Sequence, residues 1–240
     1  MERPLRTNRE ALRRLLLSTK VPLHRLNKKE LVFLATHFCD HGHNFLEHYS
    51  CYVPETDERI GFLDIEASNL DADFGIILSY CIKAAGEDRI YEDVIAPEDI
   101  ARANAGDEDK RVVRTLISDL NNFDKLVTYY GTKFDIPYIR TRATNMAVPF
   151  PVFGTLVHKD LYYVVKNKFK LSSNRLENAC RVLLNKTQKT RIDARYWRAG
   201  TRGDKKSLDY ILDHNRKDVL DLEALYNKVI GFSRIQNVSI

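Results

Sequence analysis

The sequence has no long apolar run. Its uninterrupted hydrophobic stretches fall far short of the ~20 residues that a membrane-crossing helix needs, which argues against a membrane partner. Cysteine is scarce: Cys39, Cys51, Cys81 and Cys180 are too few and too scattered for a disulfide framework, and the latter two sit in apolar segments as core residues. Internal repeats and low-complexity segments are absent, which sets aside solenoids and disordered tracts. The N-terminus, MERPLRTNREALRRLLLSTK, lacks a long apolar stretch and a small-residue cleavage site, so it reads as an intracellular helix and not as a signal peptide.

What is present is ordinary globular material. Hydrophobic residues make up 44% and charged residues 30% of 240 positions, enough for one substantial domain plus an extension. The net charge is +5, from 38 Lys and Arg against 33 Asp and Glu. The excess is concentrated, because basic residues recur through 159–206 while acids there are sparse. Such a stretch is either a solvated face or a track for a phosphate backbone.

The most informative stretch is Phe62–Leu70, FLDIEASNL, followed closely by Phe74–Ile82, FGIILSYCI. Both are short, apolar and bounded by polar breaks, as adjacent strands of a buried sheet are. Side chains two apart on a strand share a face about 6–7 Å from each other. Asp64 and Glu66 therefore point the same way from a hydrophobic strand, either as a solvated pair at its end or as acids whose repulsion a divalent cation removes. A later apolar strand, LVTYYGTKFDIPYI over 126–139, runs into Phe134-Asp135. A C-terminal helix carries His214-Asn215-Arg216-Lys217-Asp218, with His214 and Asp218 four apart on one face.

Asp-x-Glu on a first strand, Phe-Asp after a later one, and an aromatic or His four residues before an Asp on a final helix resemble the DEDD 3′→5′ exonucleases of the ribonuclease H-like superfamily. The resemblance covers roughly residues 59–232 and is nearest to the proofreading-domain branch of family B DNA polymerases and its stand-alone relatives. It implies an α/β fold, a mixed five-stranded sheet flanked by helices. It also implies two Mg²⁺ or Mn²⁺ ions on Asp64, Glu66, Asp135 and Asp218, with Asp64 bridging both ions, Glu66 and Asp218 on the nucleophile side, and Asp135 acting largely through water. The motifs depart from the family in two places. His214 stands at the spacing at which one branch has Tyr, and Tyr130-Gly131-Thr132-Lys133 replaces a neighbourhood that often holds Asn. His214 is a candidate catalytic residue that orients or deprotonates water, or else a phosphate contact or a satisfied histidine. Tyr129 and Tyr130 either stack on bases or pack in the strand. Lys133 and Arg175 complete the candidate nucleic-acid contacts, and Gly131 allows close approach of backbone or nucleotide.

The domain reading is 1–55, 56–232 and a tail at 233–240. In the first segment, two short helices are expected over 8–36, and His37–Cys51 holds four of seven histidines. Cys39, His41, His43, His48 and Cys51 read either as ligands of one structural Zn²⁺ or as a His-rich loop with incidental cysteines. In the main domain, strands are expected at 60–66, 75–84, 89–95 and 125–130. Helices are expected at 109–122, 136–146, 159–167, 173–185 (capped by Ser172 or Ser173) and 206–229, with 187–203 irregular. Asp160 reads as a helix N-cap, and Asp209, Asp213 and Asp221 as surface charges.

The function expected is a metal-dependent nuclease, foremost a 3′→5′ exonuclease on single-stranded DNA or RNA, in the cytoplasm and associated with nucleic acid. The alternatives are a structure-specific endonuclease using the same site and a non-catalytic nucleic-acid or protein-binding module. No polymerase palm or fingers region fits in this length, so the expectation is a free-standing enzyme or a subunit of a replication, repair or RNA-processing assembly.

Overall fold

The computed structural model describes residues 58–103, 106–151, 155–186, 193–233 and the backbone of 238–239, with isolated helical positions at 28, 29, 32 and 36. The two-helix reading of 8–36 and the Cys/His cluster at 39–51 otherwise lie outside the described residues. The chain divides into two compact units, Arg59–Phe150 with Lys159–Ser233, and Met1–Glu58 with Pro151–His158 and Arg234–Ile240.

In the larger unit, β1 (Ile60–Ala67), β2 (Ile77–Ala84) and β3 (Ile90–Val94) form an antiparallel meander. Two helices follow, α1 (Pro97–Arg102) and α2 (Lys110–Leu120), then β4 (Lys125–Thr128), which pairs parallel with β1. The helix α3 (Asp135–Asn145) is followed by β5 (Val157–Asp160), of which only Lys159 and Asp160 belong to this unit, and then by α4 (Leu161–Lys168), α5 (Leu176–Leu183), α6 (Ala194–Gly200) and α7 (Lys205–Val229). The sheet order is β3-β2-β1-β4-β5, the expected mixed five-stranded sheet. A sixth strand, β6 (Val238–Ser239), lies in the stretch expected as a tail and pairs antiparallel with Val157–His158 of the smaller unit.

Every residue of β2 is buried, because it is central in the meander and covered on both faces. Tyr80 donates its hydroxyl to Asp119 of α2 at 2.6 Å, while Lys83 pairs with Glu223 of α7 at 3.1 Å. Alternation then assigns the rest: Phe62, Asp64 and Glu66 of β1 share the α7 face with Ser79 and Cys81 of β2. Phe62, Cys81, Val127, Val219 and Leu222 form one core cluster on that side. On the opposite side, α2 presents one stripe of Val112, Val113, Leu116, Ile117 and Leu120. A buried ion pair ties this side together: Arg142 of α3 reaches Asp109 at 2.5 Å, and Asp109 also accepts from the Ile77 amide at 2.8 Å.

The helix α7 is capped by Asp204, whose carboxylate accepts from the Ser207 amide at 2.9 Å. Its buried row runs Leu208, Ile211, Leu212, Val219, Leu222, Leu225 and Val229. Polar residues interrupt that row at His214, Asn215, Asp218 and Asp221, all buried. Asp221, expected at the surface, is 3% exposed, because it lies on the side of α7 that packs on α5, where its carbonyl faces the Cys180 thiol at 3.7 Å. Asp209 and Asp213 are exposed as expected, the latter paired with Lys217 at 2.6 Å.

Two local expectations are corrected. The N-cap of α5 is Arg175, and the Ser173 hydroxyl only accepts from the Arg175 amide at 3.4 Å. Within 187–203, residues 194–200 are helical, started by Asp193, which accepts from the Arg195 amide at 2.9 Å. Seven residues with four aromatic or basic side chains are too short to display a period.

Candidate active site

The parallel ladder between β1 and β4 stops at Phe62 and Val127, so β1 runs on beyond its neighbour. In that gap the chain turns from β4 into α3. Asp135 is the first residue of α3, and its Oδ1 accepts from the Ile65 amide at 3.1 Å, between the two acids of β1. Asp135 is 3% exposed. Burial lifts its carboxyl to about 7, the Ile65 and own backbone amides pull it down, and the charges of Asp160 and Asp218 push it further up.

From the other side, α7 lays its polar interruption across the same strand. The Nε2 of His214 lies 3.9 Å from Glu66 Oε1 and 3.7 Å from Asp218 Oδ2. One ligand atom from each of Glu66, His214 and Asp218 falls within 4.8 Å of the other two, a group that could hold a metal ion. Asp64 is tied to the same helix by Asn215, whose Nδ2 donates to Asp64 Oδ2 at 2.6 Å. The carboxylates of Glu66 and Asp218, with those of Asp64 and Asp135 beside them, are the oxygen donors that Mg²⁺ or Mn²⁺ takes, whereas the His214 imidazole is not a donor that Mg²⁺ favours. The hydrogen bond and packing distances place Asp64, Glu66, Asp135, His214 and Asp218 around one end of β1, though these residues span 155 positions of sequence.

The wall beside His214 is Trp197 of α6. Its indole N–H donates to the Ala67 carbonyl at 3.1 Å, and its ring meets the imidazole edge-on at 6.4 Å. A Cβ at Gly200 would sit 2.9 Å from Ile211 Cδ1, so a larger residue there would require the buried Ile211 side chain to shift. Tyr210, one turn before His214, is stacked on Tyr196 at 4.2 Å.

The turn into α3 is held by Asp160. It caps α4 as expected, accepting from the Tyr162 amide at 3.1 Å, and also accepts from the Tyr130 and Thr132 amides at 2.8 and 2.9 Å. Tyr130 adopts a left-handed φ of 70°, is 45% exposed, and packs edge-on against Tyr162 at 4.8 Å. Tyr129 is committed inward, its hydroxyl donating to the Asn174 carbonyl at 2.6 Å. Gly131 is required by its own neighbour, because a Cβ would lie 2.2 Å from Thr128 Oγ1. Phe134 packs on Tyr138 at 5.4 Å, and Lys133 and Arg175 are exposed.

Asn215, Ser79 and Trp197 are site neighbours that sequence reasoning did not single out. Asn215 left one usable signal: it occupies the apolar row of α7 four residues after Ile211 and four before Val219. Trp197 left none, being on a helix too short to register.

No curated protein matches the chain. Among solved structures, the family B DNA polymerase from the hyperthermophilic archaeon Pyrobaculum calidifontis is similar in fold, with a TM-score of 0.57 and 19% identity over 72% of this chain and 24% of that one. A family model of the RNase H superfamily matches residues 61–230, from the strand bearing Asp64 and Glu66 to the end of the helix bearing Asp218, and the chain belongs to that superfamily.

Proposed function

We propose that this protein is a metal-dependent nuclease, and specifically a 3′→5′ exonuclease on single-stranded DNA or RNA. The observation that carries the reading is the meeting of Glu66, His214 and Asp218 within 4.8 Å beside Asp64 and Asp135. Asp64, Glu66, Asp135 and Asp218 would hold two Mg²⁺ or Mn²⁺ ions, which when bound lower the pKa of water and neutralise charge on the attacking and leaving oxygens. His214, whose Nε2 lies 3.9 Å from Glu66 Oε1 and 3.7 Å from Asp218 Oδ2, takes the proton of the attacking water. Trp197 walls that ring and limits its rotation. Tyr130 offers an exposed face to a terminal base, and Lys133 and Arg175 offer charge to its phosphates.

The test is a gel assay of the full chain on 5′-labelled single-stranded DNA and RNA with Mn²⁺, Mg²⁺ or EDTA, alongside Asp64→Ala. A metal-dependent ladder shortening from the 3′ end, and absent in the variant, is expected, with the preferred polymer naming the substrate. Discrete internal products would replace the exonuclease by an endonuclease on the same site. Binding of the strand with no cleavage under any metal would overturn the enzymatic reading.

A further inference from the structure

We infer that Asn215, oriented by Ser79, is a positioning residue for Asp64: an uncharged donor that sets the carboxylate for cation binding. The inference rests on the reading of the acids as cation ligands. Asn215 and Ser79 are both 0% exposed, on α7 and β2 respectively. Asn215 Nδ2 donates to Asp64 Oδ2 at 2.6 Å, and Asn215 Oδ1 accepts from Ser79 Oγ at 3.3 Å.

The chemistry fixes the direction of this chain. An ionised carboxylate only accepts, so the amide must turn its N–H toward Asp64 and its carbonyl toward Ser79. The serine hydroxyl can do either, and here it must donate. The amide therefore has one favourable setting, and through it Asp64 has a preferred rotamer. Cys81, the residue opposite Asp64 on β2, offers no comparable donor, since its thiol faces Glu92 at 3.8 Å.

The choice of residue type matters as much as its place. Lys or Arg at position 215 would orient Asp64 more strongly, but would also compete with a cation for the same charge. Leu would suit the apolar row between Ile211 and Val219 and leave Asp64 without this donor. Asn orients the carboxylate and leaves its full charge in place. Buried polar groups in a helix row oppose packing, and a positioning role accounts for an amide there. Partners of this kind typically change metal affinity by 10–100-fold when removed.

The test is Mn²⁺ titration calorimetry on the full chain, with thermal melts of the metal-free protein, for wild type, Asp64→Ala, Ser79→Ala and the double variant Ser79→Ala/Asn215→Leu. The double variant removes the Ser79–Asn215 pair together and fills the row, so its metal-free melting temperature should fall only by the loss of the Asn215–Asp64 hydrogen bond, and the melt shows whether the variant is folded. Its Mn²⁺ affinity should fall by about 10–100-fold. Ser79→Ala alone, which frees the amide to turn, should weaken Mn²⁺ binding by a smaller factor than the double variant does. A folded double variant whose Mn²⁺ affinity stays within about twofold of wild type, well inside that range, would overturn the inference while leaving the proposed function standing. If the double variant does not fold, an unchanged affinity in Ser79→Ala decides against it. A wild type that binds no Mn²⁺, or binds it equally after Asp64→Ala, overturns both.

Discussion

At the scale of single residues, the group that sets the pH behaviour of the site is Asp135. Its carboxyl is raised from 3.8 to about 7, chiefly by burial, so the folded protein holds a proton that the unfolded chain releases near pH 4. A raised acid contributes stability that is complete below its unfolded pKa and is lost as pH climbs toward its folded one. The metal-free protein should accordingly lose stability from about pH 4 to about pH 7 through this residue and no further above it. A divalent cation reverses the preference, because it favours the charged form. Apparent Mn²⁺ affinity should rise with pH up to about 7 and then level off, with proton release visible as a dependence of the calorimetric heat on buffer. Asp135→Asn is expected to flatten both trends relative to wild type. An identical pH profile in that variant would remove Asp135 from the linkage.

At the scale of elements, the turn from β4 into α3 is where a few residues govern a whole approach. Asp160 accepts from three backbone amides, those of Tyr130, Thr132 and Tyr162, so one carboxylate caps α4 and holds the loop that presents Tyr130 and leads into Asp135. Asp160→Ala should cost about 2–3 kcal/mol, combining a lost cap with lost charge-assisted bonds. Urea unfolding measures that loss, and hydrogen exchange should speed up first at the amides of Tyr130 and Thr132. Protection unchanged at those two amides would show that the loop is held by other contacts. The cap on α4 was legible in the sequence, since Asp before a Leu-Tyr-Tyr run is a local signal. The hold on the preceding loop was not, because Asp160 lies 30 and 28 residues from its two other partners. The same division runs through the site. Asp64 and Glu66 declared themselves by strand alternation, and His214 with Asp218 by helical spacing. The α6 helix and the burial of Asp221 depended on which elements pack together, and no local pattern records that. Gly131 was legible as a special position, but the crowding that requires it comes from the Thr128 side chain.

At the scale of the whole molecule, β1 to β4 were legible as apolar runs, whereas the four-residue β5, whose last two residues fall in the helix expected at 159–167, and the two-residue β6 gave no sequence signal. The distribution of charge is a separate matter and has its own test. The described Lys and Arg from Lys166 to Lys206 are all exposed, and they sit on α4, α5, α6, the start of α7 and the segments beside these helices. These elements flank the site, since α6 carries Trp197 against His214, and the Tyr129 hydroxyl reaches Asn174 just before Arg175. If the surface serves as a phosphate track, association with a single strand releases counterions, and log K falls with log[salt] by about 0.7 per neutralised phosphate. A track engaging about four phosphates predicts a slope near −3 on that principle. The measurement is fluorescence anisotropy of a labelled oligothymidylate with the Asp64→Ala protein, which removes cleavage from the titration. Arg175→Ala and Arg198→Ala should each make the slope shallower by about 0.7 and weaken binding alike on every sequence tested. Stacking on Tyr130 alone would instead give tight binding with little salt dependence, and Tyr130→Ala would then cost more than either arginine. A slope near zero with both arginines silent would therefore assign the basic stretch to solvation and leave recognition to the aromatic rim.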